Sequence, residues 1–373
     1  MNKFQRFLLF ATLITTYYWR GSVQLVEGRQ FLFNSEINKT TEQYSSQTSV
    51  NQSEKNKELE EAKRLFNDGQ FQKAIELLKR LVITKSLPKR DHLEASEYLA
   101  VAFVSNNQDK EAEEIFSQIL QQDPNYKPND QWWPHQRLMA NYYKTRQKAG
   151  LSLKVSTQGP SVQTIAIMDF ENNSIDDVEK YENLGNALAK ILISDFAVVS
   201  NLRVVERERI QFLIQELELT EKKVGGKNIM DPEYAPQLGK FLGAHSFVFG
   251  SFIRLGKKFR IDARLVKTET GEIFKTASVE GKPDKIFELV KKLTLNITKN
   301  LDIDIKKVER KKLDELGKDE IPIEAVALFG DAMSMANLEQ YKEAFNKLEE
   351  ALVVAPNFQK AKDMMIAIRP LVL

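Results

Sequence analysis

TIAIMDFENN, residues 164–173, starts with an apolar run from Ile165 to Met168 and turns polar at Asp169. A short apolar run bounded by polar residues predicts a buried strand, here ending in a turn at Asp169. LRVVERERIQFLIQEL, residues 202–217, reads as a second strand over Leu202 to Val205 that feeds directly into a helix. Ile210, Leu213, Ile214 and Leu217 give that helix its apolar stripe. PEYAPQLGKFLGAHSFVFGSFIRLGKKFRIDARLVKTETGEI, residues 232–273, reads as a helix, a tight glycine turn and a strand meander.

Between the first two stretches, Leu184, Leu188, Ile191 and Leu192 recur at helical spacing. In the meander, Phe259, Ile261, Ala263 and Leu265 alternate with Arg260, Asp262 and Arg264. That alternation marks an antiparallel strand with one face packed and one wet. Thr270-Gly271 supplies a hairpin turn, and Ile286, Leu289, Val290, Leu293 and Ile297 predict a closing helix. A domain that alternates strand and helix and then meanders predicts a mixed sheet.

These pieces come in one order: an AIMDF strand, a VVER strand–helix junction, the turn LGKFLGAHSFVFGSF and the hairpin RLVKTETGEI. In that order they resemble the CsgG/TolB-N-type periplasmic αβ domain. The resemblance covers about a third of the chain and places the domain at 160–301. It implies an envelope scaffold or assembly factor rather than a given chemistry, with a subunit of a curli-type outer-membrane secretion assembly as the alternative.

Working outward, residues 57–149 are helical by pattern. Ala62, Leu65 and Phe66 face Ala74, Leu77, Leu78 and Leu81 across a turn at Gly69. Leu99, Ala100 and Phe103 are followed by Ala112, Phe116 and Ile119, then Asp123-Pro124. The pattern returns at 322–369, where Leu328, Ala332 and Met335 precede Ala344, Leu348 and Ala351, and Pro356 closes the unit. A small residue where helices touch, a bulky one a turn later and a terminal proline resemble tetratricopeptide repeats. A lone pair cannot bury its own apolar face, so the C-terminal unit should dock on another part of the chain or on a second copy. Between Pro124 and Gly150, Trp132, Trp133, Tyr142 and Tyr143 read as a Pro134-initiated helical segment whose aromatics cap the repeats, with a binding groove as the alternative. Thr157 to Pro160 punctuates the boundary with the αβ domain, and residues 302–321 form a charged linker or helical spacer. The fold class expected is α+β multidomain, with helical repeat-like hairpins flanking a central αβ domain.

At the N-terminus, Lys3 and Arg6 precede an apolar run from Phe7 to Trp19 that Arg20 closes. The run is shorter than a spanning helix needs and fits an export signal, or an uncleaved anchor, over 1–20. Residues from about 34 to 56 are rich in Ser, Thr, Asn and Gln without apolar period, and a flexible linker is expected over 21–56. The expected location is the periplasm, with an inner-membrane tether as the variant of that reading.

Lys+Arg 54 against Asp+Glu 52 leaves a net charge of +2, which makes no electrostatic case for nucleic acid. The chain has no cysteine, so disulfides, thiol catalysis, zinc–thiolate sites and a lipobox anchor are excluded. His92, His135 and His245 lie far apart and read as surface or packing residues. Glu206-Arg207-Glu208-Arg209 reads as alternating-sign surface pairing at a helix start, and Asp169 as a turn former. Gly225-Gly226-Lys227 lacks phosphate-loop spacing. No catalytic, cofactor or metal residues are assigned, and no cofactor is expected. The partners expected are envelope proteins, a second copy of the chain among them. No transmembrane barrel is expected, because the connections in the meander are short and residues 218–232 are polar.

Overall fold

The computed structural model describes residues 55–83, 87–154, 162–216, 223–224, 227–228, 235–316 and 320–373. The export signal, nearly all of the 21–56 linker and the Thr157–Pro160 boundary lie outside the described residues. The chain divides into two compact units, 1–58 and 59–373, and everything below concerns the second. The repeat-like and αβ segments therefore share one compact body.

The N-terminal repeats are α1 (helical over 59–67 within this unit), α2 (Phe71–Ile83), α3 (Lys89–Ser105) and α4 (Asp109–Gln122). Each helix pair turns through the same backbone device. Gly69 and Asn107 sit in the left-handed region, at φ 70° and 59°. The next amides, Gln70 and Gln108, donate to Leu65 and Phe103 carbonyls at 2.9 and 2.8 Å. Gly69 and Asn107 themselves donate to Phe66 and Val104. This is the Schellman closure, which satisfies the carbonyls that a helix end leaves open. Four residues beyond each glutamine stands a fully buried alanine, Ala74 and Ala112, where the paired helices touch.

After the repeats, α5 (Gln136–Lys148) packs Tyr142 and Tyr143 into the repeat core, as the capping reading expects. The 124–135 segment is pinned by a buried carboxylate. Glu97 accepts hydrogen bonds from Tyr126 Oη and Trp132 Nε1, both at 2.5 Å, and from the Asn129 amide at 3.2 Å.

The αβ domain holds one open five-stranded sheet. Its strands are β1 (Gln163–Asn172), β2 (Leu202–Val204), β5 (Ser246–Leu255), β6 (Lys258–Lys267) and β7 (Ile273–Gly281), in the order β2-β1-β5-β6-β7. β3 (Lys223–Val224) and β4 (Lys227–Asn228) form a separate short antiparallel pair. β1 runs parallel to both of its neighbours, and β5, β6 and β7 are antiparallel. The sheet is thus mixed: β1–α6–β2 is a crossover, where α6 is Leu184–Phe196, and the later strands form the meander. Three more helices complete the domain: α7 (Arg207–Glu216), α8 (Ala235–Leu242) and α9 (Ile286–Asn300).

β1 does not end at Asp169. Its pairing with β5 shifts register between Ile167 and Phe170, and the strand continues to Asn172. An extra residue in one strand flips the alternation beyond it. Ile165, Ile167 and Phe170 therefore share one core, while Ala166 and Met168 belong to the other. Asp169 is the exposed residue at that shift, not a turn former.

Two cores result, one on each face of the sheet. On one face α6 and α9 cover Ile165, Val248, Ile261 and Leu265. Beyond them lie α10 (Lys307–Leu316), α11 (Ile323–Asn337), α12 (Tyr341–Val354) and α13 (Gln359–Ile368). On the other face α7 and α8 cover Ala166, Phe247 and Val266, and they share that core with the N-terminal repeats.

The C-terminal pair α11–α12 repeats the Schellman turn. Glu339 has φ 59°, Gln340 donates to Met335 at 3.0 Å, and Ala344 is fully buried. This unit docks on the αβ domain, as its unpaired apolar face demands. Gly330 sits so close to the start of α6 that a Cβ there would lie 2.3 Å from the Asn183 carbonyl oxygen. Asn183 Nδ2 donates to Asp331 at 2.9 Å across the same junction. The stretch read as a linker or spacer contains α10, with Leu313 buried. Glu309 ties it down by accepting from the Lys306 and Ser200 amides at 2.8 and 3.0 Å.

Candidate functional site

Where repeats, sheet domain and C-terminal unit converge, they leave a cleft of about 550 Å³. Gln131 and Trp133 come from the repeat cap; Lys190, Ile193, Ser194 and Ala197 come from α6 and its end. Glu206, Arg207 and Glu208 come from the start of α7, Phe329 from α11, and Lys360, Asp363 and Ile366 from α13.

The wall at α7 is the run read from sequence as surface pairing. In the structure Arg207, Glu208 and Arg209 are all buried. Arg207 donates from Nε and Nη2 to the two Asp169 oxygens, each at 2.8 Å. Arg209 donates to the Leu153 carbonyl at 3.0 Å, and its guanidinium lies over the Tyr143 ring at 5.5 Å. Glu206 meets Arg209 at 2.9 Å and Lys127 at 2.5 Å. Burial pushes the Glu206 carboxyl up, but Arg209 and Lys127 outweigh it and hold it below the usual range. The run therefore clamps the αβ domain to the repeats, and the correction has a plain cause. Alternating charges at a helix start look alike whether the helix end faces water or another part of the fold. Glu208 Oε1 is buried without a hydrogen-bond partner, and so is Arg209 Nε.

The opposite wall carries Lys190 and Lys360 beside Asp363. Lys190 and Ser194 are one turn apart on α6 and so share a face. The Lys190 ammonium lies 4.0 Å from the centre of the Trp133 ring. Lys360 Nζ reaches from α13 to Ser194 Oγ at 2.8 Å. Burial pushes Lys360 down, opposed by Asp195 and reinforced by Lys190. Beneath them Asp195 accepts from Thr294 Oγ1 at 3.1 Å, and burial pushes it up to about 6.

The histidines are brought to no common site. His135 is buried, and its Nε2 lies 3.0 Å from the Ala367 carbonyl oxygen, which joins the repeat cap to α13. His245 Nδ1 accepts from the Thr164 amide at 2.9 Å, and His92 Nε2 lies 2.9 Å from the Val82 carbonyl oxygen. Among the described residues no group of three His, Asp or Glu side chains could hold a metal ion. Of the aromatics flagged in the sequence, Trp132, Tyr142 and Tyr143 are core and Trp133 lines the cleft. Sequence reasoning missed Lys190, Ser194 and Lys360. Ser194 and Lys360 stand 166 residues apart, so no local pattern could have joined them.

Comparison with known families agrees with this layout. Residues 146–260 match the family described as curli production assembly/transport component CsgG, and residues 65–140 match the tetratricopeptide repeat family. The chain carries a CsgG-type domain behind tetratricopeptide repeats. No curated protein matches it. Among solved structures it is similar to the crystal structure of lipoprotein GNA1162 from Neisseria meningitidis, at 14% identity and a TM-score of 0.24. That similarity covers 33% of this chain and 81% of the other. The CsgG match ends inside β6, while the sheet continues through β7. The cleft uses the CsgG-type domain for one wall and helices outside both matched stretches for another.

Proposed function

We propose that this is a non-enzymatic scaffold or assembly protein of the bacterial cell envelope. In this reading it holds a protein partner where its repeats meet the CsgG-type domain. The carrying observation is the cleft itself. Repeat cap, CsgG-type domain and C-terminal unit each supply a wall, so the three parts jointly build one binding surface. Neither matched family description names a reaction. Periplasmic location is supported by the charged, short apolar run at 1–20 and by the match to a curli production assembly/transport component. Among the described residues no helix is long and apolar enough to cross a membrane.

The test is in-cell photo-crosslinking with a photoreactive residue at Gln131 on the cleft rim, compared with one at exposed Lys275 on β7. Discrete protein adducts from position 131 are expected. Adducts from neither position, with the protein in the cytosolic fraction, would remove the reading.

The family description also favours a second reading, a subunit of a curli-type secretion assembly. Purified protein in planar bilayers separates the two: stepwise conductance supports the second reading, and its absence supports the scaffold.

A further inference from the structure

We propose that the far end of α13 is an acid-released flap over the cleft, freed when His135 takes up a proton. This goes beyond the scaffold reading and holds whatever occupies the cleft.

α13 is fastened at both ends, to different parts of the fold. Just before its start, Phe358 is buried, with its ring 5.2 Å from that of Phe329 on α11 and 6.1 Å from that of Phe287 on α9. Lys360 adds its hydrogen bond to Ser194 on α6. At the other end the Ala367 carbonyl meets His135 of the repeat cap. Between these ties Asp363 and Ile366 line the cleft, and Trp133, two residues before His135, lines it from the cap. Loss of the His135 tie alone lets the end of α13 swing about the Phe358 anchor and widens the cleft between Ile366 and Trp133.

The His135 tie is the one that acid can break. A carbonyl oxygen only accepts, so Nε2 carries the ring proton and a second proton must go to Nδ1. The buried ring is faced by Trp132 at 5.4 Å and by Tyr341 of α12 at 6.2 Å. Burial pushes the Tyr341 hydroxyl up, so it stays neutral. Asp109 of α4 is committed to Arg137 at 2.5 Å, and Glu339 of the α11–α12 turn acts on that same arginine. On α13 itself Asp363 and Lys360 stand one and two turns before Ala367. Among the described residues no carboxylate counters an imidazolium at this point. Burial opposes the charge, the Ala367 carbonyl alone favours it, and His135 falls from 6.5 to about 4.

Once released, His135 regains its ordinary proton affinity. Between pH 6.5 and 4 the open form therefore binds a proton that the closed form refuses, and the open fraction rises as pH falls, by up to about tenfold per pH unit. At neutral pH the closed form dominates, because release exposes Met364 and Ile368, which are fully buried. The release is confined to α13. α11 is seated on the start of α6 by the close approach of Gly330 and by the Asn183–Asp331 hydrogen bond, with no histidine between them.

The experiment is amide hydrogen exchange of the full chain at pH 7, 6 and 5, read by mass spectrometry and corrected for the intrinsic rate. The opening constant over residues 363–368 should rise about twentyfold from pH 7 to pH 5, while that of α11 stays flat. His135→Gln keeps an N–H for the Ala367 carbonyl but cannot titrate, so its opening should not respond to pH. Nuclear magnetic resonance of the wild-type imidazole should show His135 still neutral at pH 5. An equal pH response in His135→Gln, a parallel rise in α11, or a folded His135 that titrates near pH 6.5 overturns the proposal. Should His135→Gln fail to fold, the wild-type exchange profile and ring titration decide it by themselves.

Discussion

Arg207, at the first turn of α7, is paired with Asp169, at the register shift of β1, through two hydrogen bonds of 2.8 Å. The arginine side chain is 4% exposed and the aspartate 42%. A cation at a helix N-terminus opposes the helix dipole, so the carboxylate offsets both that and the burial of the guanidinium.

Asp169→Asn removes the charge while keeping the shape. It should destabilise the fold by about 1–3 kcal/mol, because a buried charged donor loses its ionic partner. The effect stays below that of a fully buried pair because Asp169 is partly wet. The midpoint of urea unfolding measures it, and an unchanged midpoint would show that the pair is idle.

The three repeat turns make a sharper comparison. Gly69, Asn107 and Glu339 hold the same left-handed position, which a glycine adopts without strain and a glutamate does not. Glu339→Gly should therefore raise stability by up to about 1 kcal/mol, while Gly69→Ala should lower it by a similar amount. At Gly69 the new methyl would also crowd Leu373 Cβ at 3.0 Å. Thermal unfolding of both variants checks the signs. Shifts in the same direction would contradict a shared turn.

Docking of the C-terminal unit depends on Gly330. Gly330→Ala would place a methyl 2.3 Å from the Asn183 carbonyl oxygen, and the helices must separate to accept it. A loss of about 1–3 kcal/mol is expected from overpacking. Hydrogen exchange should rise in α11 to α13 and not in α2 to α4. Uniform exchange across both would place the weak point elsewhere.

Two buried groups set opposing pH dependences at this junction. Burial pushes His135 from 6.5 down to about 4, and Asp195 from 3.8 up to about 6. Between pH 6.5 and 4 the unfolded chain takes up a proton at His135 that the folded one refuses, so this group lowers stability as pH falls. Asp195 behaves oppositely. The folded chain takes up its proton first, so stability withheld at neutral pH returns as pH falls from about 6 toward 4. Each contribution is on the order of 3 kcal/mol across its window. Against His135→Gln, wild type should lose stability between pH 7 and pH 4.5; against Asp195→Asn, it should gain. Parallel pH profiles for all three proteins would refute both assignments.

How much of this was written locally in the chain varies by element. The strands at Ile165, Leu202 and Phe259 announce themselves through apolar runs and alternation, because a strand's two faces see different solvents. The repeats announce themselves through Ala74, Ala112 and Ala344, because close helix contact admits only a small side chain. The family likeness follows from that order of elements. The buried ion pairs of Arg207 and Arg209 are not legible, since a charged run at a helix start carries no mark of what will cover it. The flip of alternation in β1 is hidden as well, because an extra residue looks like any other until a partner strand sets the register. What the sequence by itself determined is the set of elements and their apolar faces, which short-range periodicity encodes. Only the tertiary structure decided that 59–373 closes into one body and that Lys190, Ser194 and Lys360 meet Trp133 and Glu208 across a shared cleft. That meeting is a property of long-range packing, in which residues 166 positions apart become neighbours only once the C-terminal helices pack over α6 on one face of the sheet.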